Sequence, residues 1–292
     1  MAATDRPAGP VIAPPLEDVS PEGFRAAIEA DSIATRVIAG ERPHTSHLDP
    51  DAAWAVGDPM DLFANTVASA NFDPAHADAR IAEIVATYDA LPSPFVWWRS
   101  PFHGPADLGE RLERAHVSPV GTGPAMAMDL ANLAAPREAA DLEIRGVVDE
   151  AGYRDYMAVL SAEPVAPGAP PMYTPETIER RIAHVVPELA RQPAPMRLVG
   201  YVGGQPVATV RLSLAGGSAG IYAVATLVEH RGHGYGGAMT HTALATGRDL
   251  GYRIATLQST ELGHRVYLRL GFADIFEYTI HVHLPGGGRL DA

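Results

Sequence analysis

The chain has 292 residues, 35 acidic and 22 basic side chains, a formal net charge of −13 and no cysteine. That length suffices for one large domain or two ordinary ones without disulfide or metal staples, and the missing thiols exclude a disulfide framework, a thiolate metal centre and a cysteine nucleophile. The acidic balance argues against nucleic acid or an anionic membrane as the main partner; no apolar run reaches the ~18 residues of a membrane span, and the first residues lack the order of a signal peptide, so a cytoplasmic location is expected.

All 22 basic residues are arginine. This rules out a lysine Schiff base and a Walker lysine. Charge is divided unevenly: residues 1–140 hold 20 acids and 9 arginines, residues 141–292 hold 15 and 13, so the halves carry −11 and −2.

Residues 1–19 begin rich in Ala, Pro and Gly and read as a flexible arm. Ser20-Pro21 gives an N-cap and a first helical position, and Gly40 closes that helix. A polar stretch with Pro43, Pro50 and Pro59 carries no predicted element. Residues 62–72 read as a strand, 74–91 as a helix with Ile81, Ile84, Val85 and Tyr88 on one face, and 94–99 as a short strand. A helix over 106–116 and a strand over 124–130 complete the first half, and a boundary falls near Pro136.

The second half starts with a strand over 142–149 and a helix over 150–162. Four prolines in residues 164–171 demand a loop. Thr174-Pro175-Glu176 opens another helix. Strands at 198–202 and 207–214 flank Gly203-Gly204, a two-residue hairpin signal. An apolar strand over 221–227 then runs into Glu229-His230-Arg231-Gly232-His233-Gly234-Tyr235-Gly236-Gly237. A helix over 238–250, a strand over 253–258, a helix over 261–270 and a last strand to about Leu284 finish the chain. The order is β-α-α-β-β-β-α-β-α-β, and residues 62–130 give a shorter version of it, a structural repeat without a sequence repeat.

The glycine-rich turn is the most informative segment. Glycines allow positive φ and bring backbone N–H groups close to a ligand. At a helix N-terminus these donors make an anion site suited to phosphate. No Gly-Lys-Ser/Thr follows, which excludes a P-loop, and no acidic residue ends the next strand where a Rossmann fold would hold ribose. Some 36 residues later stands Tyr267-Leu-Arg-Leu-Gly271-Phe272.

Arg231-x-x-Gly234-x-Gly236 between strand and helix, with Tyr267-x-x-x-Gly271-Phe272 at the end of the later helix, resembles the GCN5-related N-acetyltransferase (GNAT) superfamily over roughly 142–284. The resemblance implies an α/β (α+β) GNAT fold: a mixed, mostly antiparallel central sheet flanked by helices, with residues 139–292 as the acetyltransferase domain. Residues 20–138 resemble a degenerate copy, because the stretch before their helix, Asn71 to His76, contains no glycine. The resemblance further implies that acetyl-CoA is the co-substrate, with no metal. Its pyrophosphate would be held by Arg231, Gly232, His233, Gly234, Tyr235, Gly236 and Gly237. Thr226, Leu227 and Val228 would offer main-chain hydrogen bonds to the pantetheine arm, as in strand addition. Tyr267 matches the tyrosine that protonates the departing thiolate in many members. Val228 and Thr260 stand where proline and asparagine are frequent; Thr260 keeps a hydrogen-bonding side chain at the cofactor.

Acyl transfer to an amine requires a neutral amine, a polarised thioester carbonyl and a protonated leaving thiolate. The expected function is therefore an acyl-CoA-dependent N-acyltransferase, acetylating a small-molecule amine by direct attack in a ternary complex. Tyr267 is the expected general acid. Glu261, which opens the helix carrying Tyr267, is the first candidate base; Glu229 and His264 follow. The acidity of the first half favours a cationic acceptor, and residues 164–171 are placed to act as a lid or specificity loop. His281-x-His283 sets two imidazoles on one strand face without an evident third metal ligand, and Trp97-Trp98 alternates faces. A monomer or homodimer is expected. The alternatives are a repurposed GNAT fold running non-acetyl acyl-CoA chemistry or decarboxylation, and a non-catalytic CoA-binding module.

Overall fold

The computed structural model describes residues 11–39, 44–59, 62–91, 94–135, 139–162, 173–194 and 196–284. In chain order the elements are α1 (Pro21–Ile33), continued by a π-helical turn at Ala34–Ile38, β1 (His44–Leu48), β2 (Ala52–Gly57), a 3-10 turn at Leu62–Ala64, β3 (Thr66–Ala70), α2 (Ala77–Asp89), β4 (Phe95–Arg99), α3 (Leu108–Arg114), β5 (Val117–Asp129) and β6 (Glu143–Gly146). Then follow α4 (Glu150–Ser161), α5 (Pro175–Leu189), β7 (Arg197–Val202), β8 (Gln205–Ser213), β9 (Ala219–Thr226), α6 (Tyr235–Asp249), β10 (Ile254–Gln258), α7 (Glu261–Leu270) and β11 (Ala273–His283). This α/β architecture is the expected one. The proline-rich stretch 164–171, read as a lid, lies outside the described residues.

The chain forms two compact units. Among the described residues one holds 32–125 and 276–284, the other 11–31 and 126–275. In the first unit the strand order is β1-β2-β3-β4-β11-β5, and in the second it is β5-β10-β9-β8-β7-β6. Each is an antiparallel meander followed by one parallel strand reached through a helix: β1-β2-β3, α2 and β4 in the first, β7-β8-β9, α6 and β10 in the second. In the first unit β11 pairs with β4, and in the second the end of β5 lies beside β10. A division by sequence order at 138/139 therefore differs from the division in space, which follows strand pairing.

Three local expectations are corrected. The polar stretch after α1 contains two strands: β1 is an edge strand, tied down by His44 and Ser46, whose side chains both reach the Val37 carbonyl at 2.7 and 2.5 Å. The strand expected at 62–72 shortens to β3 because a 3-10 turn occupies its start. Residues 11–19 are no loose arm: Ala13 N donates to Leu214 O at 3.0 Å, Leu16 N to Gly217 O at 2.8 Å, and the Tyr252 hydroxyl to Ala13 O at 2.8 Å.

In the first unit the inward stripe of α2, Ile81, Ile84, Val85 and Tyr88, packs with Trp54, Val67, Phe95 and Trp97. Both tryptophans of the Trp97-Trp98 pair are buried, and the Arg36 guanidinium lies 3.6 Å from the Trp98 ring centre. Part of this unit's acidity is consumed internally, since Arg80 bonds Asp49 and Asp51 at 2.8 and 2.9 Å.

Two histidines of this unit are buried neutral. Burial, with the positive Arg99 as a second cause, brings His103 and His281 down to about 4. Their folded values lie below the unfolded ~6.5, so the stability they allow is full above pH 6.5 and is lost as pH falls towards 4. Each shift corresponds to about 3–4 kcal/mol at most. The melting temperature should fall steeply between pH 6.5 and 4, and His281→Gln should flatten that fall; an unchanged curve would contradict it.

Candidate active site

The second unit contains an open fork between two parallel strands. β9 pairs with β10 at Ala219, Gly220 and Ile221 and stops at Ile221↔Leu257. Its pairing with β8 continues to Thr226. Burial changes at the same point: Ala219 to Ile221 are buried, and Tyr222 to Thr226 are half-buried. About five residues of strand, ~16 Å at 3.3 Å each, thus line one arm of the fork. The strand also bends here. Ala223 has φ +49, uncommon for a residue with a Cβ, and the β8–β9 register shifts between Thr209 and Arg211. The Thr209 hydroxyl donates to the Ala223 carbonyl at 3.0 Å and holds the bulge in place. A bulge beside a fork re-aims the strand's outward groups.

Past Thr226 a 3-10 turn at Val228–His230 leads into the glycine turn. Gly232 and Gly234 have φ of +83 and +84, and no atom lies within 4 Å of where a Cβ would stand on either. Gly234 is the N-cap of α6, so Tyr235, Gly236 and Gly237 form the first helical turn, three residues earlier than the sequence suggested. Three to four main-chain N–H groups are left without helical partners there, at the positive end of a 15-residue helix.

The turn is fixed from both sides. Arg231 Nε donates to the Thr226 carbonyl at 3.2 Å. His233 reaches the Arg231 carbonyl at 3.0 Å and stacks on Tyr235 at 5.4 Å between ring centres. The Tyr235 hydroxyl donates to Asp141 Oδ2. That bond holds the Asp141 carboxyl below its usual range and pushes the Tyr235 phenol up. The turn is therefore preorganised, with the side chains of Arg231, His233 and Tyr235 tied to the protein. Leu227 and Val228 stand between strand and turn, Leu227 N bonding the Val207 carbonyl and the Val228 side chain exposed.

Beyond β10, Thr260 caps α7: its hydroxyl accepts from Gly263 N at 3.3 Å. Tyr267 lies two turns into that helix and is 8% exposed. Its ring meets Phe272 edge-on at 6.1 Å. Burial pushes its phenol up to about 12, so it carries its proton throughout the neutral range. A residue the sequence reading passed over sets this position. A Cβ on Gly263 would stand 2.7 Å from the Tyr267 ring, so only glycine lets the ring lie along the preceding turn. A glycine inside a ten-residue helix costs about 1 kcal/mol and is a signal of close approach. Glu261 is exposed at the first turn of α7 and Glu229 is exposed in the loop. His264 is already engaged, 2.9 Å from Asp274.

The corresponding fork of the first unit is filled by its own chain. There β3 and β4 pair at Thr66↔Val96 and Val67↔Trp97. Past them Gly104 N donates to Ala70 O at 3.1 Å and Phe72 N to Gly104 O at 3.2 Å, so the loop after β4 occupies the strand edge that β9 leaves open. His283 bonds His116 O and Asp89 at 3.0 and 2.7 Å, which fixes both ring nitrogens. Among the described residues no group of three metal-ligating side chains occurs, and no helix is long and apolar enough to cross a membrane.

Residues 163–272 match the model described as the acetyltransferase (GNAT) family, so this segment carries a GNAT domain. Solved structures share the fold over nearly the whole chain. A GCN5-related N-acetyltransferase from Kribbella flavida is 18% identical with a TM-score of 0.65, covering 90% of this chain and 96% of its own. One from Sphaerobacter thermophilus is 17% identical with a TM-score of 0.58, over 83% and 85%. A tandem GNAT protein of the clavulanic acid biosynthesis pathway is 14% identical with a TM-score of 0.54, over 97% and 92%. No curated protein matches the sequence.

Proposed function

We propose that the second unit transfers an acyl group, acetyl in the first instance, from acyl-CoA to the amine of a small molecule by direct attack in a ternary complex. The observation that carries this reading is a half-buried strand edge, Tyr222 to Thr226, leading straight into a preorganised anion cradle at Gly232 to Gly237. An extended arm that ends in a pyrophosphate fits those two features together. GNAT family members use acetyl-CoA, which supplies both. The residues that would hold it are the main chain of Thr226, Leu227 and Val228, the turn from Arg231 to Gly237, and Thr260 at the start of α7. Strand edge, left-handed glycines and free helix N–H groups suit that group on geometric grounds alone.

Tyr267 is the proton donor to sulfur in this reading. A thiolate, its thiol pKa ~8.5, is a weaker base than the phenolate of a buried tyrosine at about 12, so the phenol's proton goes over to sulfur only together with the proton that the nitrogen sheds to the phenolate oxygen as the amide forms. The phenol therefore stays protonated until negative charge develops on sulfur, and it passes its proton as the carbon–sulfur bond breaks. Glu261 is a candidate base for the amine. The −11 charge of the first half supports a cationic acceptor through long-range attraction.

The first test is calorimetric binding of acetyl-CoA to the pure protein, with CoA release followed over a panel of primary amines. Binding with amine-dependent release supports the transferase. Binding without release to amines or water moves the assignment to a CoA-binding module or another acyl donor. Glu261→Gln should lower kcat at pH 7.5 about 10²-fold; an unchanged rate removes Glu261 as the base.

A further inference from the structure

The glycine turn is braced by a carboxylate from outside the segment that matches the family. Asp141 stands just before β6, is exposed, and accepts from the Tyr235 hydroxyl. Tyr235 is the first residue of α6 and is 2% exposed. On its ring lies the His233 imidazole, 5.4 Å between centres and 20° from parallel. The His230 ring is farther off, at 6.5 Å and 36°. Asp141, Tyr235 and His233 thus form a row that runs from a carboxylate to the residue between the two left-handed glycines, Gly232 and Gly234.

The bonds of His233 decide where it takes a proton. Nδ1 lies 3.0 Å from the Arg231 carbonyl and 3.3 Å from that of His230. A carbonyl oxygen only accepts, so Nδ1 carries a hydrogen in both charge states. Nε2 is then the nitrogen that gains or loses a proton, and no described residue bonds it. The residue is exposed. The charged groups around it are Glu229 and His230 from the 3-10 turn, Arg231 from the glycine turn, Tyr235 from α6 and Asp141 from the segment before β6. Two of these favour an imidazolium. The Tyr235 face is electron-rich, the more so with its hydroxyl donating to a carboxylate, and suits a cation stacked on it. The Asp141 carboxyl is held low first by the Tyr235 hydroxyl and further by the charges of His233 and His230, an attraction that acts in both directions. A carboxylate beside an anion cradle weakens binding on its own. A positive charge on His233 offsets it, and a pyrophosphate at the α6 N-terminus would add negative charge beside this residue, which directly precedes the N-cap.

Resting on the transferase reading, we propose that His233 takes up a proton when CoA binds, its imidazolium becoming part of the pyrophosphate site, and that Asp141 is the positioning residue that holds this charge there through Tyr235. The proton comes from the medium, adds to Nε2 as the phosphates arrive, and returns to the medium when CoA leaves. The ring keeps its place throughout, because Nδ1 bonds the Arg231 carbonyl in either state. Affinity for CoA therefore falls as pH rises through the neutral range, where imidazole loses its charge.

The test uses the full chain and 3′-dephospho-CoA, which lacks the phosphate monoester that would itself titrate near pH ~6; any proton exchanged then belongs to the protein. Calorimetry in two buffers of different ionisation enthalpy should give an uptake of about half a proton at pH 7.5, and the Kd should rise about fivefold from pH 6 to pH 8. His233→Asn keeps a side-chain N–H for the Arg231 carbonyl and removes the titrating nitrogen, so it should abolish the uptake and flatten the pH dependence. His230→Asn should keep both. Tyr235→Phe, which retains the ring, and Asp141→Asn should each lower the uptake at pH 7.5 to about half of the wild-type value, because the imidazolium then forms only at lower pH. A merely structural brace would weaken binding by one factor at every pH and leave the uptake intact. Acetyl-CoA is titrated in parallel; if it alone binds, the same comparison is made with it, since its own phosphate titrates alike in wild type and His233→Asn. Binding without proton uptake, or an unchanged uptake in His233→Asn, overturns the proposal and leaves the transferase reading standing. An unchanged uptake in Asp141→Asn overturns the positioning role. Absence of binding of both compounds to the wild type overturns the transferase reading itself.

Discussion

Replacing Tyr267 with Phe should lower amine-dependent CoA release about 10²-fold while leaving the acetyl-CoA Kd within about threefold. The ring, not the hydroxyl, makes the contacts that hold this position: it packs along Gly263 and meets Phe272 edge-on. The variant should therefore fold, and the loss should appear in kcat. The wild-type rate should also show no alkaline decline through pH 10, because the phenol must be protonated to act and its pKa is pushed up to about 12. Activity is present below that value and lost as pH rises through it. Gly263→Ala offers a companion result: its methyl would meet the ring at 2.7 Å, so kcat should fall although the phenol is intact. A Tyr267→Phe variant with wild-type kcat would contradict the general-acid role.

The second large effect is expected at the glycine turn. Gly234 has φ +84, and a side chain there costs about 1–2 kcal/mol in backbone strain. Its Cβ would project into open space at the helix N-terminus, where the anion would sit. Gly234→Val should weaken acetyl-CoA binding by at least about tenfold, one factor of ten being 1.4 kcal/mol. Gly251 provides the control. It has φ +91 and equally open surroundings at the other end of α6, so Gly251→Ala should cost stability without affecting the Kd. Equal effects of the two variants on binding would mean that the turn is an ordinary strand-to-helix connection.

The second half was legible because its elements announce themselves locally. Gly203-Gly204 marks a hairpin, Thr174-Pro175 a helix start and Gly271 a helix stop, and the structure has each where the residues place it. The glycine turn was readable for the same reason, although the first helical turn starts at Tyr235. What the sequence concealed is non-local. β1 presents mostly polar, half-buried residues, and β2 is buried on both faces, so neither shows a clean alternation. The places of β5 and β11 in the strand order leave no periodic trace, because register and partner are decided by tertiary pairing.

Asp141 was hidden in another way. It is one exposed acid before β6 and looks like solvated charge until Tyr235, 94 residues on, is seen bonded to it. The glycine-free first fork was anticipated from Asn71 to His76; the means of its closure, Gly104 on the β3 edge, was not.

The most direct measurement is isothermal calorimetry of acetyl-CoA against the wild-type protein, Gly234→Val and Gly251→Ala, run beside CoA release with the amine panel. The account predicts one site, binding lost or weakened at least about tenfold in Gly234→Val alone, and release that depends on amine. No binding to the wild type would contradict it at its centre, since the open β9 edge and the cradle after it would then have no CoA to hold.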